Sequence, residues 1–286
     1  MDGRIDLHLH STCSDGTSSP EEVVRQAAEA GLAVISLTDH DSTEGVFSAQ
    51  AAGKEVGVEV VPGVELSAQV KEKDLHILGY FVDCTHPDLV DCLRLYRDER
   101  KRRAERMVKK LNKMGIPVRF EQVLARARGG AVGRPHVADV MVEEGVVFSA
   151  NEAFHKYLGY ARPAYEPKHS LSPFEAIGVI HAAGGLACLA HPGLYARDDL
   201  IAGLVSDRLD GIEVLHTKHG PAEVARYTEI AHRYGLLQTG GSDCHGDSRG
   251  HPVIGTVEVP RAFVEALRKT HRERRNKGSG GRPRGV

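Results

Sequence analysis

Near the amino end, Ile5, Leu7 and Leu9 fall on one side of a period-two pattern, with Asp6, His8 and His10 on the other. This pattern predicts a strand over 4–9 with one apolar face and one face of ionisable side chains. Ser19, Pro20, Glu21 and Glu22 then read as a capping box with proline at the first helical position. That helix carries Val23, Val24, Ala27 and Ala28 and should stop at Gly31. The apolar run 33–38 predicts a second, buried strand ending in Asp39-His40-Asp41, which completes a βαβ unit. A helical stretch over about 43–56 leads to a strand at 58–66 carrying Pro62-Gly63-Val64-Glu65. Residues 67–74 are short and polar, and 75–82 is strand-like again. So short a link predicts an antiparallel hairpin, which would bring His76 near Glu65.

The alternation stops over 87–162. Residues 86–114 read as one long helix ended by Gly115 and Pro117, followed by two or three shorter helices, one starting near Pro135 and one capped by Ser149 with Glu152. The frame resumes at the capping box Ser172-Pro173-Phe174-Glu175. Strands follow at 186–190, 211–215 and 236–240, each with a polar end, and helices are expected near 198–206 and 221–234. The run 253–259 reads as a last strand and 261–270 as a helix. Seven strands with polar carboxyl ends predict an α/β fold, a TIM-like barrel with an inserted small helical domain. The expected organisation is barrel at 1–86 and 163–270, helical insertion at 87–162, and a disordered basic tail at 271–286.

Composition narrows the chemistry. A formal charge of -2 over 286 residues gives no global bias toward nucleic acid or membrane. Local basic density is confined to residues 94–110, where intrahelical pairing with Asp98, Glu99 and Glu105 competes with a polyanion-steering role, and to the tail. Five cysteines without CxxC spacing read as reduced thiols, and no apolar run is long enough to span a membrane. A cytoplasmic protein with no membrane partner and no obligate protein partner is expected.

Sixteen histidines is a high count, and they gather where the strands end. His8, His10, Asp15, His40, Glu65, His76, His191, Asp243 and His245 form a set larger than one divalent ion can use. Mixed nitrogen and oxygen donors without thiolate suit Mn²⁺, Fe²⁺ or Zn²⁺. Cys13 and Cys244 lie beside these motifs and read as packing residues.

The ordered motifs DLHLH, LTDHD, PGVE, LH, AHP and SDCH, spanning residues 6–245, resemble the PHP (polymerase and histidinol phosphatase) family. The resemblance implies a distorted (β/α)7 barrel holding three divalent ions, Mn²⁺ being the expected metal. It assigns His8, His10, Glu65 and Asp243 to one ion, Glu65, His76 and His191 to a second, and Asp15, His40 and His245 to the third. Such a cluster suits phosphoester hydrolysis, because it neutralises the phosphate and lowers the pKa of a bridging water. Within the family the chain looks most like the stand-alone subgroup that removes the 3′-phosphate of nucleoside 3′,5′-bisphosphates and trims short 5′-phosphorylated RNA. Gly133-Arg134-Pro135-His136, Arg162-Pro163-Ala164-Tyr165 and Glu213-Val214-Leu215-His216 carry that likeness. It points to Arg134, Arg162 and Lys168 for substrate binding and to His136 or His216 as the proton donor. Histidinol-phosphate phosphatase is the enzymatic alternative. A non-catalytic metal or nucleic-acid binding module is the alternative of another class.

Overall fold

The computed structural model describes residues 3–71, 73–127, 132–167, 171–195, 197–246 and 253–279. Seven strands form one sheet in sequence order: β1 (Arg4–Leu9), β2 (Leu32–Leu37), β3 (Glu59–Val70), β4 (Lys73–Tyr80), β5 (Leu186–Leu189), β6 (Gly211–His216) and β7 (Leu237–Gly241). Strands β1, β2 and β3 are parallel, as are β5, β6 and β7, while β4 is antiparallel to both β3 and β5. β4 is therefore the one reversed strand, and the carboxyl ends of the other six share an end of the sheet with the beginning of β4. Because a parallel neighbour needs a long crossover, the tight link after Val70 dictates this reversal.

The sheet nearly closes on itself. Leu9 bridges Cys244, the Asp243 amide donates to the His8 carbonyl at 2.9 Å, and the His10 amide donates to the Cys244 carbonyl at 3.0 Å. The seam is tight: a Cβ on Gly241 would lie 2.5 Å from the His8 backbone nitrogen, so only glycine fits there. Asp6 stitches the same seam, accepting from the Ser242 amide at 2.9 Å and the Gly255 amide at 3.0 Å. Burial pushes the Asp6 pKa up, and these amide bonds offset it. Across the barrel, the Tyr80 hydroxyl donates to the Leu7 carbonyl at 3.1 Å and lies 2.9 Å from Thr239 Oγ1.

Helices α1 (Pro20–Glu29), α2 (Val46–Val56), α7 (Pro173–Ala182), α8 (Ile201–Ser206), α9 (Pro221–Tyr234) and α10 (Arg261–Ser279) accompany these strands. Ser19 with Glu22 and Ser172 with Glu175 form reciprocal capping boxes at α1 and α7. Gly57 and Gly235 end α2 and α9 in the left-handed region.

Two compact units result: residues Met1–Val90 with Leu171–Val286, and residues Asp91–Ser170. The second contains most of α3 (Pro87–Lys113), then α4 (Phe120–Arg126), α5 (Arg134–Glu143), α6 (Ala150–Ala153) and a π-helical turn Phe154–Leu158. It has its own apolar core, in which Met107, Leu111, Val137, Met141 and Leu158 are buried. Much of the basic run on α3 is paired: Arg94 with Asp91 at 3.0 Å, Lys109 with Glu105 at 2.7 Å, Arg106 with Glu99 at 2.6 Å, and Lys110 with Glu166 at 2.8 Å.

Three expectations are corrected. Residues 67–70 and 73–74 are not part of a link but belong to β3 and β4, which pair as far as Val70 and Lys73. The run 253–259 is not a strand; it crosses the seam, where its Gly255 amide is taken by Asp6. Residues 271–279 are not a disordered tail but the continuation of α10. His271 stacks on Phe81 at 5.0 Å, and Arg274 is ion-paired with the buried carboxylate of Asp210. The remaining positions of the expected tail, 280–286, lie outside the described residues.

Candidate metal centre

His8 and His10 leave β1 on the same face, as period two requires, and the loop beyond them carries Asp15. His40 follows β2, and His191 follows β5 with φ at 24°. Asp243, with φ at 54°, and His245 follow β7. Glu65 differs in lying inside β3 and His76 inside β4, because the hairpin continues past the mouth of the barrel. Ser67 pairs with His76 across that hairpin, and Glu65 is two residues from Ser67, so Glu65 and His76 share a face.

Glu65 sits among five imidazoles. Its Oε2 lies 3.3 Å from His8 Nε2, 3.3 Å from His10 Nε2 and 3.0 Å from His40 Nδ1. Its Oε1 lies 2.9 Å from His76 Nδ1 and 3.0 Å from His191 Nε2. Asp243 Oδ1 approaches His10 Nε2 at 3.1 Å and His8 Nε2 at 3.5 Å, and Asp15 Oδ1 approaches His245 Nε2 at 3.2 Å. Three groups of ligand atoms lie within 4.8 Å of one another: His8, His10, Glu65 and Asp243; His10, Asp15, His40 and His245; and His40, Glu65 and His76. His191 joins the last group through Glu65 Oε1.

Whether these residues suit a cation can be judged from their tautomers. His8 Nδ1 lies 2.9 Å from Glu213 Oε1, and a carboxylate only accepts, so His8 carries its proton on Nδ1. Its Nε2 lone pair then faces Glu65 Oε2 and Asp243 Oδ1, and none of these three buried atoms has a hydrogen-bond partner. Lone pair against lone pair at 3.3–3.5 Å is repulsive unless a proton or a cation lies between. Burial disfavours charge on His10, yet the close carboxylates of Asp243 and Glu65 raise its pKa to about 10. Glu65 moves the other way: burial opposes its charge, but His40, His76 and His8 hold it well below the usual carboxylate range. The donor set fits divalent cations bound through neutral imidazole and ionised carboxylate.

Three carboxylates that are not among the candidate ligands brace the cluster. Glu213 on β6 holds His8 through Oε1 and accepts from the His191 amide through Oε2 at 2.7 Å. Asp39 accepts from the Ser11 amide and hydroxyl, both at 2.7 Å, and from the Ser14 hydroxyl at 2.6 Å, fixing the loop that bears Asp15. Asp41 accepts from the Ser67 amide at 2.7 Å. The carboxylates flanking His40 in LTDHD thus build the walls around the ligands.

Of the other candidates, His216 joins the cluster. Its Nδ1 accepts from the Lys218 amide at 3.0 Å, and its Nε2 lies 3.4 Å from Asp243 Oδ2. Arg134, His136 and Arg162 belong to the second unit. There the Arg134 guanidinium lies over the rings of Phe154, at 5.7 Å, and Tyr165, at 5.9 Å. His136 Nδ1 accepts from the Gly133 amide at 3.0 Å, and Arg162 lies 3.3 Å from His155 Nδ1. Lys168 lies outside the described residues. All five cysteines are free thiols, with Cys244 buried.

The chain is similar to known proteins. Residues 6–120 match the family described as the PHP domain. The 5′-3′ exoribonuclease Rnm of Escherichia coli is 35% identical over 247 residues, 84% of each chain. The 3′,5′-nucleoside bisphosphate phosphatase of Chromobacterium violaceum is 35% identical over 260 residues, covering 89% of this chain and 91% of the relative. A solved protein of Bifidobacterium adolescentis, named as a metal-dependent phosphoesterase, superposes with a TM-score of 0.83 at 32% identity, covering 93% of this chain and 96% of the other.

Proposed function

The chain belongs to the PHP-domain family, and on that premise we propose that this metal-dependent phosphoesterase removes the 3′-phosphate of nucleoside 3′,5′-bisphosphates and trims short 5′-phosphorylated RNA. The observation that carries the reading is the ring of five imidazoles about one buried carboxylate, Glu65. On this reading three ions, Mn²⁺ foremost, are held by His8, His10, Asp15, His40, Glu65, His76, His191, Asp243 and His245. Bound there, divalent ions neutralise the reacting phosphate and lower the pKa of water. The residues themselves fix the geometry: Glu213 locks the His8 tautomer, and Asp39 holds the loop of Asp15. We assign the proton donor for the leaving oxygen to His216, whose Nε2 lies 3.4 Å from Asp243 Oδ2 at the edge of the cluster. His136, whose Nδ1 caps α5, is the weaker choice. Arg134 and Arg162 are assigned to the non-reacting phosphate, on an insertion spanning 87–162, with the enzyme working in the cytoplasm. Among the described residues no helix is long and apolar enough to cross a membrane.

The test is phosphate release by metal-reconstituted protein from nucleoside 3′,5′-bisphosphate, nucleoside monophosphates, histidinol phosphate and short 5′-phosphorylated RNA. The bisphosphate should react fastest. Arg134→Ala should slow the bisphosphate by roughly one to two orders of magnitude while sparing the monophosphates, the size expected for a charge-assisted contact. Preference for histidinol phosphate would overturn the assignment.

A further inference from the structure

The side of the cluster where His76 and His191 meet on Glu65 Oε1 carries a side chain with no role so far. Tyr195 follows the short 3₁₀ turn Pro192–Leu194, and its ring centroid lies 5.2 Å from that of His191 and 6.3 Å from that of His76. The residue is half-buried, but its hydroxyl is closed off from solvent and makes no hydrogen bond to the described residues. The His76 backbone lies near its oxygen. A buried hydroxyl without a partner is disfavoured, so its presence in the wall of a hydrolytic centre calls for an acceptor supplied from outside the protein. A phenol is neutral near pH 7 and can donate.

The placement of Tyr195 is built into the fold. The Gly193 amide donates to His219 Nε2 at 3.1 Å, and His219 Nδ1 donates to the Val214 carbonyl on β6 at 2.9 Å. The His219 ring packs 5.4 Å from Tyr227 of α9, whose hydroxyl donates to Asp198 Oδ1 at 3.1 Å. A Cβ on Gly193 would lie 2.8 Å from the His219 ring, so the turn depends on glycine there. The turn is thus clamped to a strand and a helix, which holds the hydroxyl beside His76 and His191 before any ligand arrives.

We propose that Tyr195 is a catalytic residue whose phenolic O–H donates a hydrogen bond to an oxygen of the phosphate bound on the His76–His191 side of the centre. The candidate ligand nitrogens and carboxylates would be taken up in holding cations, whereas a phosphate presents several acceptor oxygens. Tyr195 supplies a donor for one of them without adding charge. The inference rests on the phosphoesterase reading but not on which nucleotide is preferred, because inorganic phosphate is a product of every phosphomonoester hydrolysis.

The experiment compares wild type and Tyr195→Phe for metal content by elemental analysis, for inhibition by inorganic phosphate, and for kcat on a phosphomonoester. Metal content should be unchanged, while phosphate affinity and kcat each fall on the order of 10- to 100-fold, the loss expected for a hydrogen bond to a charged acceptor. Unchanged phosphate affinity would overturn the proposal, as would a wild type that does not bind phosphate. Metal loss in parallel with activity would also overturn it, since Tyr195 would then be orienting His76 and His191. Gly193→Ala should give a weaker form of the same defect and add nothing when combined with Tyr195→Phe. Independent, additive losses would show that the turn does not act through Tyr195. A wild type that binds phosphate through Tyr195 but ignores the bisphosphate would leave this proposal standing and remove only the substrate assignment.

Discussion

Replacing Glu213 by glutamine tests whether the centre is organised by a residue that touches no cation. Glu213 is fully buried and uses both oxygens, Oε1 for His8 Nδ1 at 2.9 Å and Oε2 for the His191 amide at 2.7 Å. Both partners donate, and a carboxylate can accept from both. A carboxamide of the same shape cannot, because its NH₂ group would face one of the two N–H groups. One buried donor is left unsatisfied, which costs about 1–3 kcal/mol. If the carboxamide oxygen turns toward His191, His8 loses the bond that keeps its proton on Nδ1 and its Nε2 free. If it turns toward His8, the strained turn at His191 loses its anchor. Either way a ligand is misplaced, and removal of such a supporting partner lowers metal affinity by about 10- to 100-fold. That range corresponds to about 1.4–2.8 kcal/mol, which matches the unsatisfied-donor estimate. Competition against a chelator of known affinity, followed by metal content after dialysis, measures it directly. A Glu213→Gln protein that keeps wild-type metal affinity and a wild-type unfolding midpoint would refute the reasoning.

Two further outcomes follow from the charges. His10 has a folded-state pKa raised to about 10 in the metal-free protein, so its contribution to stability is full below its ordinary value of about 6.5 and is lost as pH rises through about 10. The unfolding temperature of metal-stripped protein should fall across that window, and Mn²⁺, which replaces the proton, should flatten the decline; a pH-independent midpoint without metal would contradict this. At the other end of the chain, truncation after Thr270 removes the His271 stack on Phe81 and leaves Asp210 without Arg274, so urea unfolding should show a loss of about 1 kcal/mol, small because the Arg274 side chain is 45% exposed.

The strands were readable because alternation and turn chemistry act within a few residues. β1 and β6 begin where the apolar pattern begins, and the reversal of β4 follows from the short link before it. The pattern failed where the partner of a segment lies far off in the chain. Residues 67–70 are polar enough to resemble a loop, yet they extend β3 because β4 returns directly beside them and takes their backbone groups. Residues 253–259 alternate like a strand, but Asp6, 249 positions from Gly255, claims the Gly255 amide. The Arg- and Lys-rich stretch after 270 lacks apolar residues, yet Asp210 holds it as helix from the base of β6.

The site divides along the same line. The candidate ligands are chemically conspicuous, since histidines and carboxylates that end successive strands have few other reasons to recur. Glu213 stands out only as part of the segment that carries the family likeness, and Tyr195 looks like an ordinary loop aromatic. Their importance lies in the atom each one faces: His8 is 205 positions from Glu213 in sequence and 2.9 Å away across the barrel. The groups that select a tautomer or await a phosphate oxygen are therefore the ones local pattern hides and three-dimensional hydrogen-bond accounting exposes. On the same logic, a variant that keeps all nine candidate ligands but lacks Glu213 or Tyr195 should look intact in sequence and still be impaired, the first in holding metal and the second in using it.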